Sequence, residues 1–321
     1  MLTTFYLDKE LFDDDSLQNI NQLNLTILNN WKNYGCLGVC EDSKLDLIKA
    51  IKKVPVKYSI QWQTALTNYK STPICPRKST ISDCENFVEL KEILVAEEVL
   101  TGVIPTDYSS DFINLKNSDC FEVVTPSNFE ESQNFQNSET YCLTQIAKGD
   151  DINVIWQERL HNLARYSKQI TIIDRFSALN ILEDHSKGLK TSLETFIEYL
   201  SLTGKKYEIS IFGACDINGR MTNATTLKTY LNNVLRKKPL YTQVIEKCNF
   251  SLCKNGFFGK EAHDRMLKFD KHVIEIGNGL DIFRQKPILN NTFTIKLSHQ
   301  TNFDSVYNTL SKNREPGCAN L

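Results

Sequence analysis

Apolar positions in the C-terminal half of the chain switch repeatedly between a helical period and short continuous β-rich runs. Residues 154–166 (VIWQERLHNLARY) space Ile155, Leu160, Leu163 and Tyr166 along one helical face, and ITIID (170–174) follows as a strand. Thr191-Ser192-Leu193-Glu194 has capping-box form, in which the threonine hydroxyl and the glutamate carboxylate each accept a backbone N–H of the opening turn. A helix is therefore expected to start there, run through FIEYLSL and stop at Gly204. YEISIFGAC (207–215) predicts a second strand, TLKTYLNNVLRK (226–237) a second helix, CNFSLC a third strand and HVIEI a further one. Such repeated strand–helix units predict an α/β sheet covered by helices.

The N-terminal half shows its ends most clearly. TTFYLDKEL opens it with an apolar stretch followed directly by Asp8, and CFEVVTPSNFEES closes it with a strand, Thr125-Pro126 and an acidic helix start. Between about residues 127 and 153 the texture becomes rich in Asn, Gln, Ser and Glu with little periodicity, as in a linker. The expected organisation is two α/β domains, 1–130 and 154–315, joined by a linker over 131–153. A chain of 321 residues exceeds a usual single core and agrees with that division. Trp31, Trp62 and Trp156 have apolar neighbours at helical spacing and are expected in the core.

Candidate chemistry concentrates in EAHDRMLKFDKHVIEIGNGLDIF, residues 261–283. In an extended segment His263 and Arg265 share a face. An imidazole can attack phosphorus while a fixed cation stabilises charge on the non-bridging oxygens and a carboxylate, here Asp270, orients the ring. The turn Gly277-Asn278-Gly279 would let backbone N–H groups approach an anion. Asp174-Arg175 ends the first predicted strand of this half, where open α/β sheets present ligands, and it reads equally as a surface ion pair or a helix cap.

This spacing resembles the phospholipase D superfamily motif, which runs His-x-Lys, four residues, Asp, six residues, Gly-Ser-x-Asn. Arg265 stands in the lysine position and Leu280 in the asparagine position. A closer resemblance is to the phospholipase-D-like domain at the C-terminus of MIT-domain proteins, followed by His263-Asp264-Arg265 and Gly277-Asn278-Gly279-Leu280-Asp281. It extends from KQITIIDRF (168–176) to about residue 310. The resemblance implies a phospholipase-D-like sheet flanked by helices, and a module that in its eukaryotic relatives binds membrane phosphoinositides without paired catalytic motifs.

The framing of the N-terminal half resembles PIN-like nuclease domains, which open on a strand carrying a metal-binding aspartate and close with a strand and a Thr-Pro turn. That chemistry needs three or four carboxylates around Mg²⁺ or Mn²⁺, which activate a water and steady the leaving oxygen. Following the family order, Asp8 is the first ligand, Glu41 or Asp42 the second, and Asp107 or Asp119 the later ones. Glu97, Glu98 and Asp111 are further candidates, and no late Asp-x-Asp pair is present.

Composition narrows the picture further. A net charge of −2 means that any polyanion must be held by a local patch. Lysines at 49, 52, 53 and 57, Lys205-Lys206 and Arg236-Lys237-Lys238 are the clusters visible in sequence. The ten cysteines lack zinc-knuckle spacing, and the acidic start MLTTFYLDKELFDDDS lacks the form of a secretory signal, so reduced thiols and a cytoplasmic location are expected. No apolar run approaches a membrane span, and Walker, dinucleotide and Gly-x-Ser-x-Gly signatures are absent.

Three functions from different classes follow. The first is a metal-dependent nuclease, by analogy a prokaryotic antiviral effector, whose second domain grips phosphate or a partner. The second is a non-catalytic module binding nucleic acid, an anionic membrane surface or a protein. The third is a homodimeric phosphodiesterase with His263 of each subunit across the axis.

Overall fold

The computed structural model describes residues 2–7, 9–78, 81–109, 121–258, 265–284, 286–316 and 319–320. The chain divides into two compact α/β units, Met1–Tyr141 and Cys142–Leu321.

The first unit is built on five parallel strands: β1 (Thr3–Leu7), β2 (Gly35–Cys40), β3 (Ser71–Ile74), β4 (Thr101–Val103) and β5 (Glu122–Val124), in the order β3-β2-β1-β4-β5. Strand β1 is central and buried along its whole length, as expected where helices cover both faces. Alternate side chains serve opposite layers. Phe5 and Leu7 join a core with Trp31, from helix Asn21–Tyr34, and Trp62, from helix Val56–Asn68. Tyr6 joins Phe87, Leu90 and Leu94 of helix Phe87–Ala96 on the other side. Phe12 meets Trp62 edge-on at 5.1 Å. The indole N–H of Trp62 donates to Asn24 Oδ1 at 2.9 Å, and the Asn24 amide donates to the Leu17 carbonyl, so this buried polar pair is closed.

The stretch expected to be a linker is structured. Residues Gln133–Leu143 form a helix, all but its last two residues in the first unit. Ser132, Phe135, Ser138 and Cys142 are buried at helical spacing, and because two of the four are serines the stripe is invisible to a count of apolar residues. Thr3 and Ser138 share a 2.7 Å hydrogen bond, and Glu122 accepts the free N–H groups of Gln133 and Asn134 at the helix start. Past this helix the chain joins the second unit at once: Ile146 bridges Asn291, and the Phe293 N–H donates to Gln145.

The second unit holds a seven-stranded sheet. Its parallel part is β6 (Gln169–Ile173), β7 (Tyr207–Ala214) and β10 (Ile245–Cys253). The small hairpin β8 (Asp216–Ile217) and β9 (Arg220–Met221) follows β7. Antiparallel β11 (Arg265–Phe269), β12 (His272–Ile276) and β13 (Phe293–Leu297) extend the sheet beyond β6, and β14 (Ala319–Asn320) pairs with β10. The order is β13-β12-β11-β6-β7-β10-β14.

Helix signals read from the sequence are realised here. Thr191 caps Ser192–Ser201 with Glu194 completing the box, and 152–165 is helical with a π turn at Trp156–Leu160. Trp156 is buried among Phe196, Tyr199 and Phe283. On the other side of the sheet, Phe303, Val306 and Leu310 of helix Phe303–Lys312 cover Ile173, Phe212, Met266 and Val273.

Candidate functional site

Strand β6 does not release its chain at Ile173. The Asp174 N–H donates to Phe212 O and the Ala214 N–H donates to Arg175 O, which carries the parallel ladder two residues further and leaves Asp174 1% exposed. A carboxylate at that depth needs partners. It has three: the N–H of Phe176 at 2.9 Å, the N–H of Leu280 at 3.0 Å and the Arg265 guanidinium, whose Nε lies 3.3 Å away. Burial pushes the Asp174 carboxyl above its ordinary range, against the pull of Arg265 and the two N–H groups. The Nε contact is purely electrostatic, because that N–H makes no aligned hydrogen bond.

Arg265 is held on two further sides. Its Nη1 donates to the Gly277 carbonyl, and its guanidinium carbon stands 4.8 Å from the centroid of the Phe176 ring. Arg175 approaches the same ring at 4.6 Å. Two guanidinium groups therefore flank one aromatic at the carboxyl end of a central strand. Arg175 is half-buried and has no ion pair among the described residues. The helix Ser177–Ser186 starts immediately afterwards, and its N-cap residue Phe176 supplies no side-chain cap, so the positive end of its dipole is directed at the same corner.

The glycine turn has a different role from the anion cradle expected of it. The Gly277 N–H donates to Thr292 O, the Asn278 N–H to Asn291 Oδ1 and the Leu280 N–H to Asp174, so these groups already have protein acceptors. What Gly279 supplies is space. At φ +57° a Cβ there would sit 2.4 Å from Asp174 Oδ2 and 2.6 Å from Arg265 Cδ. The turn is a clamp on the ion pair. Behind it, Asp281 accepts from Asn180 at 2.7 Å and Lys286 at 2.6 Å, while Arg284 grips the buried Asp184 through Nε at 2.8 Å. Sequence reading missed this second network and the Phe176 platform: Asp281 and Phe176 lie in stretches singled out in the sequence, but their partners Asn180, Lys286 and Arg265 are brought to them only by the fold.

Other expected residues are placed elsewhere. Asp270 sits in the β11–β12 turn at the opposite end of β11 from Arg265, with φ +49°, and accepts the N–H groups of Lys168 and Gln169. It orients a turn and cannot orient a ring beside Arg265. His263, at the centre of the expected chemistry, lies outside the described residues, as does Asp264.

In the first unit Glu41 follows β2, is exposed and pairs with Lys44 at 3.3 Å. Asp107 lies in the short turn Thr106–Tyr108 after β4 and is also exposed. Asp8, Asp111 and Asp119 fall outside the described residues. Among the described residues no group of three or more His, Cys, Asp or Glu is arranged to hold a metal ion, and no helix is long and apolar enough to cross a membrane. The eight described cysteines carry free thiols.

No known family's sequence signature matches the chain, and no curated protein does. Among solved structures it is similar to phosphatidylserine synthase of Haemophilus influenzae Rd KW20, at 13% identity and a TM-score of 0.30. The match spans 53% of this chain and 38% of the synthase.

Proposed function

We propose that the second unit binds a phosphate-bearing ligand at the carboxyl edge of β6, with Arg175 and the outer edge of Arg265 as its cations. The observation that carries this reading is the sharing of Phe176 by two guanidinium groups, of which Arg175 has no carboxylate partner among the described residues. A guanidinium fixed in plane presents donors that match phosphate oxygens, and Asp174, Gly277 O and Phe176 fix Arg265 in this way. Asp174 belongs to the support of the site rather than to its ligand-facing surface. The resemblance of 168–310 to the phospholipase-D-like domain of MIT-domain proteins agrees with a binding corner, to which His263 would be adjacent in sequence. Equilibrium binding of inorganic pyrophosphate to wild type and to Arg175→Ala tests the reading: saturable binding weakened at least tenfold by the substitution is expected, and equal binding by both proteins contradicts it.

A second reading concerns the first unit and rests on its strand order. In the order β3-β2-β1-β4-β5 the chain reverses its direction of winding at β1, and open parallel sheets bind ligands outside the carboxyl ends of strands at such a point. Asp8 follows β1 in sequence, while Glu41 and Asp107 follow its neighbours β2 and β4. With Asp119 they would supply the carboxylates of a PIN-like site for Mg²⁺ or Mn²⁺ and phosphodiester hydrolysis. The test is cleavage of single-stranded DNA and RNA with either metal by wild type and Asp8→Ala. Activity lost in Asp8→Ala supports the reading, and cleavage by neither protein removes it.

A further inference from the structure

The cation clusters visible in sequence are partly neutralised in the fold. Lys49 pairs with Asp46, Lys53 with Asp13 and Lys238 with Glu194. The same holds for much of the second unit, where Lys168, Lys187, Lys190, Lys268 and Lys296 each meet a carboxylate. The carboxyl edge of β6, β7 and β10 holds four further cations. Arg175, Arg220, Lys254 and Arg314, far apart in sequence, have no ion pair there among the described residues.

Backbone pairing places these cations together. Arg175 O accepts from Ala214, Cys215 donates to Cys253 O, and Cys253 bridges Arg314. Residues 175, 214–215, 253–254 and 314 therefore run side by side across neighbouring strands, which lie about 4.8 Å apart. Arg220 stands exposed on the β8–β9 hairpin that leaves β7 at the same edge, just past the Asn218-Gly219 turn. Arg314 lies over the Phe212 ring at 5.3 Å, as Arg175 lies over Phe176. Among the described residues the acids close to the row are Asp216, whose carboxylate accepts the Asn255 N–H, and Glu315. Phe257, 41% exposed in the turn after β10, adds an open aromatic face to the row.

We infer that this edge is a track for single-stranded nucleic acid, in which Arg220, Lys254 and Arg314 continue the phosphate contacts begun at Arg175, and Phe257 offers a stacking surface for a base. The inference rests on the phosphate reading of the Arg175 corner and extends it from one phosphate to several. A row of cations interleaved with aromatics suits a flexible polyanion with bases attached. A membrane surface is the weaker fit, because the exposed large apolar side chains of these loops are only Met221 and Phe257 among the described residues.

The test is binding of a fluorescent oligothymidylate across a salt series, by wild type and by the triple variant Arg220→Ala, Lys254→Ala, Arg314→Ala, with pyrophosphate and phosphatidylserine vesicles as parallel ligands. All three substituted side chains are exposed, so the thermal midpoint is expected to stay unchanged. Each cation engaged with a single strand contributes about 0.7 to the slope of log K against log salt. The triple variant should therefore lose roughly two units of slope while binding pyrophosphate as wild type does. Unchanged oligonucleotide binding in the triple variant overturns the track and leaves the Arg175 site standing. Vesicle binding that the triple variant loses, with no oligonucleotide binding by wild type, also overturns it in favour of a membrane. Failure of wild type to bind pyrophosphate counts against the phosphate site itself.

Discussion

Asp174 and Arg265 meet at 3.3 Å beside Gly279, where an added side chain would strike both of them. A Cβ at 279 must displace either the carboxylate or the arginine stem, and it must also adopt a left-handed backbone. Gly279→Ala is therefore expected to cost roughly 3 kcal/mol, from overpacking and strain together. Gly219→Ala is the control, since φ there is +77° with nothing within 4 Å of the added methyl, and it should cost only about 1 kcal/mol. Urea unfolding of the two variants separates these costs.

Asp270→Ala distinguishes a turn residue from a site residue. It removes the acceptor for the N–H groups of Lys168 and Gln169 and leaves alanine at φ +49°, so stability should fall by about 2 kcal/mol. Pyrophosphate binding by the folded fraction should not change. Loss of binding with unchanged stability would return Asp270 to the site.

In the first unit, Asn24→Ala should leave the Trp62 indole N–H and the Leu17 carbonyl buried without partners. Two orphaned groups in a core predict a loss of about 3 kcal/mol, read from tryptophan fluorescence during denaturation. Asn24→Asp would keep an acceptor for the indole but set a buried carboxylate against the Leu17 carbonyl, so it is expected to destabilise at neutral pH as well.

His161 gives the second unit a dependence on mild acid. Burial holds its imidazole below the ordinary value. The folded state therefore binds the proton less readily than the unfolded chain does, whose histidine titrates near 6.5. The stabilising contribution is complete above about pH 6.5 and is lost as pH falls from there through the folded value. The unfolding midpoint of wild type should drop between pH 7 and pH 5 by more than that of His161→Gln, and parallel pH curves would remove the assignment.

What the sequence made legible was local. The Thr191 capping box, the β7 strand and the helix at 154–166 depend on neighbouring residues and were readable. The helix at 133–143 was not, because Ser132 and Ser138 interrupt the buried stripe that leads into it and runs along it. Asp270 misled because regular motif spacing does not reveal that a hairpin carries it to the far end of β11. The Arg175, Arg220, Lys254 and Arg314 row was invisible because only long-range strand pairing, the parallel ladder of β6, β7 and β10 together with the antiparallel Cys253–Arg314 bridge and the β8–β9 hairpin, brings those residues to one edge. Phe176 was overlooked since an aromatic beside a strand end carries no signal until two arginines stack on it.

The most direct test of the phosphate site is the side-chain NMR of its two arginines during titration with inorganic phosphate. The Nε–H signals of Arg175 and Arg265 should shift together along one saturable curve, with the Arg284 signal, held by Asp184, unmoved. Arg175 and Arg265 signals that stay in place while phosphate reaches saturating concentration would contradict the site.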